Sequence, residues 1–339
     1  MKIAIIGCGT MGKLYAERFA SMQDAQLTAL ANRSEGPLLE LAEQYGATPY
    51  RSWEELFEKA EADVVCVTLP THLHKEVVLL AAAHGKHIIC EKPLALNPDD
   101  AEEMRLACER AGVRLFAAHV LRYFPEYAQL KAQTAAGVAG RIGVAHAKRA
   151  SKHPVSGSWY ADVTRSGGIV FDLMIHDLDF LAWTLGEVRT VYAAERKSEG
   201  VIYASVTLRF ASGAIANVEA HWGYPGPFLT QVELAGTGGV LRFDSQTSRS
   251  LVIQQADPEG TATRGVGFPL RPALKDPFSI QLEQFLACIR SGDEPLVTAQ
   301  DGVTAVRIAY AAAQSLETGL PVRLSSASTG QSVSQEVRR

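Results

Sequence analysis

The chain lacks several features that would take it out of the class of ordinary globular proteins. Its five cysteines are scattered, with none in a Cys-x-x-Cys pair, so we expect neither a disulfide framework nor a metal site. No apolar run approaches the ~20 residues that span a bilayer. Lys and Arg total 33 against 37 Asp and Glu, which is not the basic excess that holds a nucleic-acid backbone. Together these absences predict a cytoplasmic protein with no membrane or nucleic-acid partner.

The composition is that of a chain with real hydrophobic cores. Of its 339 residues, 47% are hydrophobic, and at ~150 residues per domain this length predicts about two domains. The first ~120 residues alternate short apolar runs with amphipathic stretches, a rhythm typical of a parallel sheet covered on both faces by helices. The predicted strands are Ile3–Ile6, Leu27–Ala31, Val64–Thr68, His87–Cys90 and Leu115–Ala118, and helices are predicted at Met11–Met22, Pro37–Tyr45 and His74–His84.

After about residue 120 the strands follow one another directly, which indicates a mostly antiparallel sheet. Two further helices are predicted near the end, and the last residues are rich in Ser, Thr, Gln and Gly. We therefore predict domains at residues 1–120 and 121–324, with a flexible tail at 325–339. The predicted strands are Ile142–Arg149, Thr190–Glu195, Ile202–Phe210, Ala214–Trp222, Thr230–Ala235 and Val240–Phe243, and the helices are Asp276–Arg290 and Asp301–Thr318.

A glycine-rich loop follows the first predicted strand and opens the first helix. Its sequence, Gly7-Cys8-Gly9-Thr10-Met11-Gly12, has the G-x-G-x-x-G spacing of a dinucleotide-binding loop. The first glycine permits the tight turn, the second lets the backbone approach a pyrophosphate, and the third lets helix and strand pack closely. The free N–H groups at the helix N-terminus would face the phosphates.

The end of the second strand bears on the choice of cofactor. An acidic residue there would bind the ribose 2′-hydroxyl of NAD, but this chain has Asn32-Arg33. The neutral Asn32 would not repel a 2′-phosphate, and Arg33 could pair with it. This favours NADP slightly. An ordinary solvated Arg33 would leave NAD open.

Two chemical segments follow the fourth and fifth strands at the carboxyl edge of the sheet, where ligands gather in such folds. In Glu91-Lys92-Pro93, the Lys92 ammonium could hydrogen-bond a substrate oxygen and help to move a proton. The stretch Thr68–His74, which includes Pro70, is expected to line the nicotinamide side of the crevice, with His74 facing the ligand. The alternative for Lys92 is a solvated loop lysine.

A second cluster lies in the later half of the chain. Gly167-Gly168 predicts a turn into a helix that carries Asp172, His176 and Asp179 at positions i, i+4 and i+7, and so on one face. Histidine suits proton transfer near neutral pH, and a nearby carboxylate can orient it and raise its basicity. A structural histidine with a hydrogen-bond partner is the alternative.

In this order and spacing the motifs resemble the Gfo/Idh/MocA family of oxidoreductases over nearly the whole chain. The resemblance implies a Rossmann dinucleotide-binding domain followed by an α/β domain with an open, mostly antiparallel sheet that commonly forms a homodimer or homotetramer contact. It also implies a nicotinamide-linked enzyme acting on sugars, polyols, inositols or related hydroxy compounds. The segments that carry it are Gly7–Gly12, Thr68–His74, Glu91-Lys92-Pro93, Arg122-Tyr123, Gly167-Gly168, Asp172-x-x-x-His176-Asp177 and Ala299–Gly302.

The resemblance also assigns roles to residues. Lys92, Asp172 and His176 are expected to be catalytic, and the Lys92–Pro93 bond is often cis in such enzymes. Cofactor binding is expected from the glycine loop with Thr10 and Met11, and from Asn32, Arg33, Thr68, Pro70, His74, Glu91 and Lys92. Substrate binding is expected from Arg122, Tyr123, Trp159, Asp172 and His176, although aromatic residues more often pack in cores or interfaces.

Two other functions stay open at this point. A redox-neutral relative could oxidise a sugar transiently, eliminate a group and reduce it again with a tightly held NAD. No extra glycine-rich or aromatic insert supports this alternative. A non-enzymatic sensor that binds NAD(P) would be favoured if Lys92 or His176 were missing, but both are present.

Overall fold

The computed structural model describes residues 1–247 and 275–325, and these form two sheets with helices packed on them. The predicted tail lies outside this range except for Ser325. Within the described ranges no helix is both long and apolar enough to cross a bilayer.

The first sheet has six parallel strands in the order β3-β2-β1-β4-β5-β6, the arrangement of a dinucleotide-binding Rossmann domain. Apart from the short edge strand β3, its strands are mostly buried, as their continuous apolar sequences require. They are β1 (Lys2–Ile6), β2 (Gln26–Ala31), β3 (Thr48–Tyr50), β4 (Val64–Val67), β5 (His87–Cys90) and β6 (Leu115–Ala117), and the helices between them are α1 (Thr10–Ala20), α2 (Glu35–Tyr45), α3 (Trp53–Lys59), α4 (His74–Ala83) and α5 (Pro98–Arg110).

Side-chain caps fix where two of these helices start. The Ser52 hydroxyl accepts a hydrogen bond from the Glu55 N–H at the start of α3, and Asn97 accepts one from the Asp100 N–H at the start of α5. All five strands predicted for this half are present. The short edge strand β3 was not predicted, because three partly exposed residues give no apolar run.

The second sheet has seven strands in the order β12-β11-β7-β10-β9-β8-β13. It is antiparallel except for the parallel pair β7–β10, so the mostly antiparallel prediction is confirmed. Turns around Gly213 and Gly236–Gly239 join β9 to β10 and β11 to β12. The strands are β7 (Ile142–Ser151), β8 (Val188–Ser198), β9 (Val201–Phe210), β10 (Ile215–Trp222), β11 (Leu229–Gly236), β12 (Gly239–Asp244) and β13 (Val322–Arg323).

Helices cover one face of this sheet, and no helix within residues 1–247 and 275–325 covers the other, here called the open face. Alternate residues of the strands are buried under α8 and α10, while their neighbours point outward and are mostly polar. The helices of this half are α6 (Pro125–Ala135), α7 (Val163–Ser166), α8 (Ile175–Leu185), α9 (Pro277–Ser291) and α10 (Ala299–Thr318).

Helix α9 is late in the sequence but packs against the Rossmann domain. Its Phe285 stacks on Phe116 of β6 with ring centroids 4.6 Å apart, and Asp276 at its N-cap accepts a 2.7 Å hydrogen bond from Arg18 of α1. Helix α10 contacts α5 and β6 on one side and β8 on the other. The predicted domain division at residue 120 stays a prediction, since the two last helices connect both sheets.

Candidate active site

The loop between β1 and α1 has no space for side chains at two of its three glycines. A Cβ at Gly12 would lie 1.9 Å from the Gly7 carbonyl oxygen, and one at Gly7 would lie 2.7 Å from the Thr68 carbonyl oxygen. Gly7 also has a φ of +107°, which favours glycine. Gly9, by contrast, faces open space and caps α1 without a side-chain hydrogen bond. The backbone at Gly9 therefore leaves room for a pyrophosphate to approach the free N–H groups at the start of α1.

Hydrogen bonds from polar side chains stabilise the glycine loop. Thr68 donates its hydroxyl to the Gly7 carbonyl oxygen at 2.7 Å. The Asn32 carboxamide accepts the Cys8 N–H at 3.2 Å and donates to the Ser34 carbonyl oxygen at 2.8 Å. Thr10 is exposed and Met11 is partly exposed at the first turn of α1. Thr68 and Asn32 thus stabilise the loop through direct contacts.

Arg33 lies at the same end of β2 with its side chain exposed. Its guanidinium carbon is 5.2 Å from the centroid of the Trp53 ring, a cation–π arrangement that limits where the charge can point. The residue stands where the adenosine ribose of a dinucleotide lies in a Rossmann domain.

His74 does not face the crevice as expected. It is buried, and its ring nitrogens lie 2.9 Å from the carbonyl oxygens of Pro93 and Leu69. Burial lowers its pKa below the ordinary value. The ring joins the loop after β4, where Pro70 is half-buried, to the loop after β5.

The Glu91-Lys92-Pro93 loop turns at the carboxyl end of β5, with a cis peptide bond between Lys92 and Pro93. Glu91 is buried and does not face the crevice. Lys92 is 16% exposed, and its ammonium donates to the Asp172 carbonyl oxygen at 2.8 Å and lies 3.4 Å from the Asp172 carboxylate. Two residues 80 positions apart in the sequence are therefore in contact at the carboxyl edge of the first sheet.

The segment that carries Asp172 and His176 differs from the prediction of one uniform α-helix. After the Gly167-Gly168 turn, residues Val170–Met174 form a π-helical turn, and α8 begins at Ile175. A π-turn changes the angular spacing of side chains and is frequent at functional sites. The predicted stripe is consequently split: Asp172 contacts Lys92, whereas Asp179 lies at the opposite end of the set against Arg122.

His176 lies one turn after Asp172. Its Nδ1 atom is buried and has no hydrogen-bond partner among the described residues. Burial, reinforced by the positive charges of Lys92 and Arg149, holds the pKa of His176 well below its usual range. The ring is therefore held in its neutral form.

Arg122 and Tyr123 are placed differently from the predicted substrate contacts. Arg122 is 2% exposed and donates two hydrogen bonds to the Asp179 carboxylate, at 2.6 and 2.9 Å. It also lies 3.1 Å from the Asp301 carboxylate. Tyr123 is buried and donates its hydroxyl to Gln284 at 2.6 Å. Both side chains are occupied by contacts within the protein.

Trp159 lies in the connection between β7 and α7. It is half-buried and stacks on Tyr160 with ring centroids 3.9 Å apart. The part of Trp159 in substrate binding stays a prediction.

Two buried residues near the site were missed from the sequence. Arg149 of β7 donates to the Asp177 carboxylate at 2.8 and 2.9 Å, which fixes α8 beside His176. A signal was present, since Arg149 continues the inward alternation of Ala145 and Ala147 with a charge. His119 is 1% exposed, its ring nitrogens have no hydrogen-bond partner among the described residues, and Nδ1 is 3.9 Å from the Asp179 carboxylate.

The chemical capacity of the site follows from these contacts. A neutral imidazole, a lysine ammonium and a partly exposed carboxylate lie near the carboxyl edge of a Rossmann sheet whose glycine loop fits a dinucleotide. Such a set can hold a hydroxyl group and move its proton while the cofactor carries the redox step.

Comparisons with known proteins agree with this geometry. Residues 1–119 match the model of an oxidoreductase family with an NAD-binding Rossmann fold, and residues 127–242 match the GFO/IDH/MocA C-terminal domain. A myo-inositol 2-dehydrogenase of Thermotoga maritima is 31% identical over 338 residues, with 96% of this chain and 98% of the relative covered.

Two further relatives extend the likeness. A 1,5-anhydro-D-fructose reductase of Ensifer adhaerens is 33% identical over 300 residues, covering 84% of this chain and 83% of the relative. The crystal structure of a probable dehydrogenase from Thermotoga maritima superposes with a TM-score of 0.82 at 30% identity, covering 95% of this chain and 98% of that one. The chain belongs to the Gfo/Idh/MocA family of oxidoreductases, whose N-terminal domain is an NAD-binding Rossmann fold.

Proposed function

We propose that the protein is a nicotinamide-dependent dehydrogenase or reductase that acts on a secondary alcohol of a sugar, an inositol or a related polyol. The observation that carries the proposal is the contact of Lys92 with Asp172, one turn from a neutral His176, at the same carboxyl edge of the sheet as the glycine loop. The substrates named for the Thermotoga maritima and Ensifer adhaerens relatives support this class of compound.

Each side chain has a distinct task in this proposal. His176 accepts the hydroxyl proton during oxidation and returns it during reduction, since its neutral ring is available as a base. Lys92 donates a hydrogen bond to the same oxygen and stabilises the negative charge that develops there. Asp172 orients the Lys92 ammonium and can accept a neighbouring hydroxyl of the substrate. The nicotinamide ring, when bound, supplies the chemistry of accepting or giving a hydride.

The test is a spectrophotometric assay for reduced nicotinamide. The purified protein is mixed with NAD or NADP and a panel of inositols, aldoses, polyols and diols, and the reverse reaction is run with the corresponding carbonyl compounds. We expect a steady change in the absorbance of the reduced nicotinamide with at least one combination of cofactor and substrate. Tight binding of cofactor without turnover in either direction would instead support a sensor, and turnover of a glycoside without net reduction would support the redox-neutral alternative.

For the cofactor, we propose that the end of β2 accepts the 2′-phosphate of NADP in addition to NAD. Asn32 is neutral and is already engaged with the glycine loop, and the exposed Arg33 is held over Trp53. A charge-assisted hydrogen bond of ~1.5–3 kcal/mol makes the expected loss of NADP affinity in Arg33→Ala about tenfold or more. NAD affinity should change little. Asn32→Asp should weaken NADP by repulsion, and equal effects on both cofactors would contradict the assignment.

We further propose that the open face of the second sheet pairs with a second copy of the chain. Val240, Ala235, Val144 and Ile215 form a row across four neighbouring strands, and the three larger side chains are 41–55% exposed. Exposed apolar rows of this kind mark association surfaces. Ile215→Glu should lower the mass measured by light scattering, whereas Leu39→Glu on the exposed side of α2 should not.

A cytoplasmic location is also proposed. All five cysteines are free and buried, which suits a reducing compartment. Fractionation of the source cells, with detection of the protein by antibody, tests this location.

A further inference from the structure

A continuous polar chain runs beneath Lys92, through the core of the Rossmann domain. Tyr15 of α1 is fully buried, and its hydroxyl donates to Glu91 Oε1 at 2.8 Å. The other oxygen of the same carboxylate, Oε2, accepts the main-chain N–H of Lys92 at 3.2 Å. The Lys92 ammonium then reaches the Asp172 carbonyl oxygen at 2.8 Å. Three consecutive contacts therefore connect the cofactor helix with the catalytic cluster.

The chain extends to α9 on its other side. Gln281 has no exposed surface, and its Nε2 donates to the Tyr15 hydroxyl at 3.4 Å. The Tyr15 hydroxyl thus accepts from one helix and donates to the loop after β5. An apolar residue would fill this space equally well, so the polar pair Tyr15–Glu91 is not explained by packing.

Glu91 is a costly residue to bury. It is 8% exposed, and burial raises the pKa of its carboxyl group. The Tyr15 hydroxyl and the Lys92 N–H both favour its ionised form, as does the charge of Lys92. The carboxylate is therefore held in place by two donors and a cation, and one of these donors belongs to Lys92 itself.

We propose that Tyr15 is a positioning residue: through Glu91 it fixes the main chain of Lys92 and so aims the ammonium at Asp172 and at the substrate oxygen. The effect on turnover rests on the proposed function, whereas the effect on Glu91 and Lys92 does not. The glycine loop lies at the N-terminus of α1. One helix therefore determines both the position of this loop and the direction of the Lys92 ammonium.

The groups that face the Glu91 carboxylate define how it should titrate. They are Tyr15 from α1, Cys66 from β4, Cys90 from β5 and the neighbouring Lys92. Removing the Tyr15 hydroxyl takes away a donor that favours the charged form. The carboxyl group should then become protonated at a higher pH than in the unaltered protein, and the Lys92 N–H should lose a charged acceptor.

The experiment compares three full-length variants with the unaltered protein. Tyr15→Phe removes only the hydroxyl. Glu91→Gln keeps the side-chain size, removes the titration and serves to assign it. Tyr45→Phe is the matched control, because Tyr45 also lies beside α1 but its hydroxyl accepts from Gln44.

Infrared spectroscopy follows the protonated carboxyl of Glu91 as the pH is lowered, and a crystal structure of each variant locates the Lys92 ammonium. We expect the Glu91 signal of Tyr15→Phe at higher pH, and Lys92 displaced from Asp172. In turnover, kcat should fall about tenfold with the KM of the substrate changed less than about threefold, and the acidic limb of the pH profile should move to higher pH. Tyr45→Phe should match the unaltered protein.

The outcomes separate the two proposals. An unchanged Glu91 titration with Lys92 still in contact with Asp172 overturns the positioning role, whatever the turnover. A lower melting temperature without these changes likewise assigns Tyr15 to the core alone. If the titration and Lys92 both shift but the unaltered protein turns over no polyol or sugar, the positioning role stands and the proposed function fails. If Tyr15→Phe does not fold, loss of the Lys92–Asp172 contact in Glu91→Gln supports the role, and retention of that contact overturns it.

Discussion

Two pairs of a cation and an aspartate hold the helical segment at residues 170–185, and the two pairs differ in how completely their hydrogen-bonding groups are used. Lys92 and Asp172 are 16% and 19% exposed, with 3.4 Å between the ammonium and the carboxylate. The side chains of Arg122 and Asp179 are only 3% and 2% exposed, and they make two hydrogen bonds of 2.6 and 2.9 Å. We call Lys92–Asp172 the open pair, because its charged groups are partly exposed and the ammonium still has hydrogen-bond donors to offer. We call Arg122–Asp179 the closed pair, because it is buried and joined by two hydrogen bonds.

Each pair consists of a basic residue and an aspartate, so residue type alone does not distinguish the proposed catalytic pair from the structural one. Both cations follow a strand of the first sheet, and both aspartates lie within two turns of one helical segment. A closed, buried pair contributes to stability through the cost of leaving either charge alone. An open pair at a crevice can exchange its partner for a substrate.

The largest expected effect is on stability when the closed pair is broken. Arg122→Ala leaves the buried Asp179 carboxylate without its main partner and should lower the free energy of unfolding by ~3–5 kcal/mol. Urea unfolding measures this. The control Arg242→Ala removes an exposed pair with Glu233 and should cost less than about 1 kcal/mol. Equal losses in the two variants would remove the distinction between the pairs.

For Lys92 and His176 we expect a large effect on turnover and a small effect on stability. Lys92→Ala and His176→Ala should each lower kcat about 100-fold or more, which is ~2.7 kcal/mol of transition-state stabilisation, with a small change in melting temperature. Lys75→Ala is the matched control, since that lysine pairs with Asp100 and Glu103 on the surface of α4 and α5. Near-normal kcat in both site variants would refute their catalytic assignment.

A smaller effect is expected at Asp172. The Asp172→Asn variant keeps the carbonyl oxygen that Lys92 contacts at 2.8 Å and loses only the charge at 3.4 Å. We therefore expect kcat to fall about tenfold, less than in Lys92→Ala. Steady-state kinetics on the two variants decides the order, and a loss equal to that of Lys92→Ala would mean that the carboxylate has a direct role.

The smallest effect concerns His119, which lies between the two pairs. Burial lowers its pKa from 6.5 in the folded protein, so its neutral form contributes fully to stability above that pH. As the pH falls below 6.5, His119 takes up a proton more readily in the unfolded chain than in the folded protein. The free energy of unfolding therefore decreases. His119→Leu should flatten this part of the profile measured by thermal unfolding, whereas the exposed His146→Leu should not. If the stability of His119→Leu changed with pH in the same way as that of the unaltered protein, other groups would be responsible for the loss of stability at acidic pH.

Much of the fold could be predicted from the sequence because its signals are local. Continuous apolar strands, caps such as Asn97 and the glycine loop each depend on a few neighbouring residues. The family resemblance named Lys92 and Asp172 as members of one catalytic set, and the structure shows the two side chains 3.4 Å apart.

The remaining features depend on distant contacts. Arg122 could not be assigned from its own surroundings, because its partners Asp179 and Asp301 are 57 and more residues away in the chain. The π-turn at Val170–Met174 has no sequence signature in a window that equally suits an α-helix. Tyr15 matches the apolar face of α1, and only the position of Glu91 distinguishes it from a core residue.

The packing of α9 on the Rossmann domain has a consequence for the order of folding during synthesis. Phe116 and Tyr15 are covered by Phe285 and Gln281, which leave the ribosome long after the first sheet is complete. A nascent chain of about 120 residues would therefore expose part of its core until α9 arrives. Truncation before α9 should yield a fragment that aggregates, even though every strand of its sheet is present.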